Sequence, residues 1–99
     1  MANIQEFTTE RLALARGAIE HGRNAADVKN EYGNLDLALA IIDGCRAAIT
    51  MADAHDPNTV VQELEIASAH LASLQECAAE PSVKIARQHI DETITALRP

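Results

Sequence analysis

Aromatic side chains are nearly missing from this chain: its 99 residues include no Trp, one Phe (Phe7) and one Tyr (Tyr32). Any core must therefore be aliphatic, filled out by small alanines that favour helix and let helices approach closely. Cysteine is scarce as well. Cys45 and Cys77 are too few for a disulfide scaffold and too far apart for a CxxC site. No apolar run approaches the ~18 residues needed to cross a membrane, so no membrane association is expected. The opening Met-Ala-Asn-Ile-Gln-Glu lacks the basic region and apolar segment of a signal peptide, and a cytoplasmic location is expected. Bases are few, with eight Lys and Arg against fifteen acids and a net charge of −7. That sign repels a phosphate backbone and disfavours direct nucleic-acid binding. Gly17, Gly22, Gly33 and Gly44 fit no phosphate-cradling loop.

What is present is uneven charge on a strongly helical pattern. From Glu31 to Glu80 nine acids face a single base, Arg46, while residues 1–30 balance four acids with four bases. The hydrophobic fraction of 47% and charged fraction of 23% are ordinary globular values, and the length suits one domain, 1–99. No strand alternation, repeat or low-complexity tract is visible.

Apolar residues recur at helical spacing in four segments. Residues 4–22 open on Asn3-Ile4-Gln5-Glu6, close to a capping box, and align Ile4, Phe7, Leu14, Ala15, Ala18 and Ile19, with Gly22 as the expected end. Residues 23–34 allow two readings. A stripe of Val28, Tyr32, Leu35 and Leu39 suits one continuous helix, whereas Gly33-Asn34 reads as a stop followed by a fresh cap. The break is preferred, with a short helix at 25–32 as an option. Residues 35–54 carry the widest arc, including Leu37, Ala38, Ile41, Ile42, Cys45, Ala48 and Ile49. Asp56-Pro57 then reads as an N-cap and first helical residue. Residues 57–79 place Val60, Leu64, Ala67, Leu71 and Leu74 on one stripe; residues 82–97 align Val83, Ala86, Ile90, Ile94 and Leu97.

Folding the chain about Asp56-Pro57 sets Ile42 level with Leu71 and Ile49 with Leu64. Folding again about Pro81 sets Ile90 with Leu71 and Leu97 with Leu64. The coincident layers predict an all-α, antiparallel up-down bundle of about four helices. On that register Cys45 is level with Ser68 and lies ~13 Å along the axis from Cys77, beyond disulfide reach.

Candidate chemistry is thin. Cys45 sits inside the widest apolar arc and reads as a small core residue. His21, His55, His70 and His89 form no i,i+4 pair, and the paired Glu-x-x-His elements of a bundle metal site are missing. No metal, cofactor or catalytic residue is expected. His70 would suit a phosphotransfer bundle by its mid-helix place, but Ser73 and Leu74 stand where such domains typically carry Lys and Gly. The acidic hairpin remains. Asp36, Asp43, Glu65 and Glu76 fall on its outward faces and are the expected contacts for a protein partner with a basic surface. Small acidic bundles of this kind serve as inhibitors, immunity factors, anti-defence proteins or adaptors, some by imitating nucleic acid. A secondary stripe of Ile66, His70 and Cys77 points either to burial against the first helix or to self-association. A homo-oligomer holding a small ligand between subunits is the alternative function.

Overall fold

A computed structural model describes residues 4–25, 29–51, 56–74 and 79–98. They form four helices: α1 (Ile4–Ala25), α2 (Lys29–Thr50), α3 (Pro57–Ala72) and α4 (Glu80–Leu97). The expected all-α bundle is what the chain forms. Around the bundle α1 packs on α2 and α4, and α3 packs on the same two helices. The pairs α1/α3 and α2/α4 therefore lie on the diagonals. The molecule measures 40 × 23 × 19 Å, its long axis set by two helices of 22 residues, each ~33 Å long.

One aliphatic core runs down the middle. Leu12, Ala15 and Ile19 come from α1; Leu35, Ala38, Ile42, Cys45 and Ile49 from α2. Helix α3 supplies Val60, Leu64, Ala67 and Leu71, and α4 supplies Val83, Ala86, Ile90 and Ile94. The expected stripes of α3 and α4 are thus the buried ones. The α1 stripe differs: Leu12 is fully buried, whereas Leu14 and Ile4 are 44% and 60% exposed. The apolar arc of this helix is wide, and packing on α2 and α4 buries its Thr8–Leu12–Ile19 side while leaving Leu14 at the outer edge. Thr8 and Thr93 are fully buried, and each hydroxyl donates to a carbonyl one turn back, Ile4 at 2.7 Å and His89 at 2.9 Å. Both polar groups are thereby satisfied inside an apolar core.

Helix ends depart from expectation at four places, α3 among them, since it closes at Ala72, seven residues before the expected 79. Helix α1 passes through Gly22 to Ala25. Gly22 is there for close approach, since a Cβ on it would stand 3.1 Å from Ser82 Cβ and 3.4 Å from Ala79 Cβ. Neither a break at Gly33-Asn34 nor a separate helix over 25–32 forms; α2 begins at Lys29 and runs through both residues. Helix α2 closes at Thr50, four residues early, where the Gln5 amide donates to the Ile49 and Thr50 carbonyls at 3.1 Å each. Those are carbonyls that a helix end leaves without intrahelical donors. Helix α3 starts as expected. Asp56 is its N-cap and accepts from the Asn58 N–H at 3.0 Å, with Pro57 in the first turn.

The α2–α3 register is the main correction. The Cys45 thiol faces the Val60 carbonyl at 4.0 Å, and His70 reaches Asn34. Cys45 is therefore level with Val60 instead of Ser68, a displacement of about two turns. These two pairs place the fold axis of the hairpin several residues before the Asp56 cap. The α3–α4 register fits expectation better, with Arg98 on Glu65 and Arg87 within 3.3 Å of Ser68 Oγ.

Candidate functional site

Three of the four acids singled out from the sequence are paired with bases from neighbouring helices. Asp36 accepts from Arg23 at 2.7 Å, and Asp43 accepts from Arg16 at 2.8 Å. Both arginines stand on α1, and Arg16 also holds Glu20. Hydrogen bonding and charge from Asp43 raise the Arg16 pKa, and those from Asp36 do the same for Arg23. Glu65 is bound by Arg98 at the C-terminal end of α4. All three acids keep about half of their side-chain surface in water. Each is nevertheless already neutralised by a base from a neighbouring helix. Glu76 lies outside the described residues.

The stripe on α3 has a different fate. Because α1 is diagonal to α3, it covers none of it, and Ile66 stays 47% exposed. His70 is half-buried; with its proton on Nδ1 it donates to Asn34 Oδ1 across the hairpin at 3.3 Å. Cys77 lies outside the described residues.

One turn beyond that His70–Asn34 pair, Ile66 on α3 comes level with Leu37 on α2. Leu37 was expected in the core. It is 50% exposed, because α2 turns Leu35, Ala38 and Ile42 inward and leaves Leu37 on the outer edge. Further along the same α2–α3 seam lies a groove of about 370 Å³, lined by Ala40, Ile41, Gly44, Cys45, Ala48, Thr59, Val60 and Glu63. Its floor on α2 is Ala40, Gly44 and Ala48, one helical turn apart. A Cβ added at Gly44 would meet nothing within 4 Å, so no packing within the chain requires glycine there.

Charge on this face is of one sign. Residues 57–74 contain no Lys or Arg, and Glu63 stands exposed at the rim of the groove. Glu63 is felt below it. Burial first, then the Glu63 charge, pushes the Cys45 thiol up to about 11. Cys45 is 4% exposed and stays protonated at neutral pH, which leaves it a poor nucleophile. Among the described residues no group of three or more His, Cys, Asp or Glu is placed to hold a metal ion. None of the described helices is long and apolar enough to cross a membrane.

Sequence reasoning missed this groove. The sequence pattern places Ile41, Cys45 and Ala48 in the core arc and Val60 in the α3 stripe, and the signal available was the excess width of that arc over what two neighbouring helices cover. Comparison of the chain with protein-family models, with curated proteins and with solved structures gives no match.

Proposed function

We propose that this chain is a small, non-enzymatic protein-binding module of the inhibitor or adaptor kind, and that its α2–α3 hairpin is the docking face. The observation that carries the reading is an apolar groove along the α2–α3 seam on the hairpin that also leaves the level residues Leu37 and Ile66 half-exposed. Side chains of that size lose favourable burial when left in water, and a contiguous strip of them marks an interaction surface. The acidic rim favours a partner with a basic surface, and steering by the net charge of −7 adds to its rate of encounter.

Affinity capture tests this. The partner retained by the wild-type chain is expected to be lost from a Leu37→Ser/Ile66→Ser variant of unchanged stability. It is expected to stay with Leu14→Ser/Ile85→Ser, which alters exposed aliphatics of α1 and α4. The reverse pattern would move the docking face to α1 and α4. A second reading draws on the same strip: a homo-oligomer in which another copy covers it and a small ligand fills the groove. Light scattering of the isolated protein separates the two, because the binding module is expected to be monomeric.

A further inference from the structure

Resting on that reading of the hairpin, we infer that the occupant of the α2–α3 groove is a cationic amphipathic helix from a partner protein. Shape argues first. The groove's lining on α2 runs from Ala40 to Ala48, about two turns or ~12 Å, which matches some eight residues of a docked helix. A floor of Ala40, Gly44 and Ala48 offers no side chain larger than a methyl group, so a third helix can settle between α2 and α3 at the 8–10 Å spacing typical of packed helices. Leu37 and Ile66 then meet its apolar residues at i, i+3, i+4 and i+7.

Backbone chemistry selects a helix over an extended segment. The main chains of α2 and α3 spend their hydrogen bonds within their own helices and offer no edge to an added strand. An extended peptide would carry unpaired N–H and C=O groups into an apolar groove, which disfavours it. A helix brings its backbone already satisfied.

Charge selects the sign of that helix. Glu63 is the charged side chain that lines the groove, and α3 holds no Lys or Arg to offset it. A Lys or Arg beside the apolar stripe of the incoming helix meets Glu63 at the rim. A second copy docked through the same face does the opposite. It sets one acidic hairpin against another, like charge on like charge, with no base on either groove.

The test uses the full chain and an 18-residue peptide with leucines on one helical face and lysines elsewhere, beside a peptide in which glutamate replaces every lysine. Isotope-labelled protein reports where each binds. The lysine peptide is expected to become helical and to shift the amides of Ala40, Gly44, Ala48 and Ile66. Gly44→Trp fills open space, so it should melt no lower than wild type while weakening binding more than tenfold. Glu63→Gln should weaken it about two- to fivefold at low salt, the range of one exposed charge pair. Equal binding of the glutamate peptide, or lysine-peptide binding that ignores Gly44→Trp, overturns the inference. A native dimer with Gly44 shielded from a soluble paramagnetic probe also overturns it and names a second copy as occupant. If the peptide fails yet a captured partner still depends on Leu37 and Ile66, the helix is wrong and the docking face stands. If that dependence fails too, the docking face falls with it.

Discussion

At the scale of single residues, Cys45 shows how far a sequence pattern reaches. Its place in the widest apolar arc identified it as a core residue, and it is buried. The pattern could not show that it lies directly beneath Glu63, since that depends on the register of two helices. Burial, reinforced by that carboxylate, raises the thiol from its ordinary value, about 9, to about 11. The neutral thiol is favoured in the folded state, so the stabilisation is complete below pH 9. As pH rises from 9 towards 11 the unfolded thiol ionises while the folded one does not, and stability falls by about 2–3 kcal/mol. Denaturant midpoints of wild type and Cys45→Ala, compared at pH 7.5 and pH 10.5, are expected to converge at the higher pH. Parallel losses in both proteins would mean that another group governs alkaline unfolding.

Elements are where the sequence was both most and least legible. The Asp56-Pro57 start of α3 is local chemistry, a side chain capping the next N–H groups, and it was readable from two residues. The register of α2 on α3 was not. Ile42 and Ile49 repeat by seven, as do Leu64 and Leu71, so a slide of two turns presents almost the same stripe to the neighbouring helix. Only the length of the connection breaks that degeneracy, and α2 closing at Thr50 moved it. Glycine misled in the same way. Gly22 and Gly33 both suggested helix ends, yet each lies inside a helix, because packing overrides a propensity of about 1 kcal/mol. The glycines differ in what surrounds them. Gly22→Leu must push α1 from Ser82 and Ala79 of α4, and is expected to cost about 1–3 kcal/mol. Gly44→Ala, on open surface, is expected to add up to about 1 kcal/mol by removing unfolded-state entropy. Thermal melts of the two variants should move in opposite directions. Similar losses at both positions would mean that α2 already has a neighbour over Gly44.

For the whole molecule, the charge imbalance along the chain takes on a different meaning once it is folded. Read linearly, residues 31–80 carry a concentrated negative field. Folded, the flanking helices return their bases to that hairpin: Arg16 to Asp43, Arg23 to Asp36 and Arg98 to Glu65. Part of the asymmetry is therefore cross-helix pairing in an antiparallel bundle. It helps to specify which helices lie side by side, since wrong pairings would oppose like charges. A charge swap separates this role from partner recognition. Asp36→Arg/Asp43→Arg alone sets cations against Arg23 and Arg16 and is expected to lower the melting temperature. Adding Arg16→Asp/Arg23→Asp restores both pairs with the net charge of −7 unchanged, and stability should recover except for the Arg16–Glu20 pair that the swap gives up. If the two aspartates serve packing, the recovered protein binds its partner as the wild type does, while Glu63→Gln still weakens the complex. If they are partner contacts, affinity stays lost although the fold returns, and the docking face must extend from the α2–α3 groove around α2 to its seam with α1.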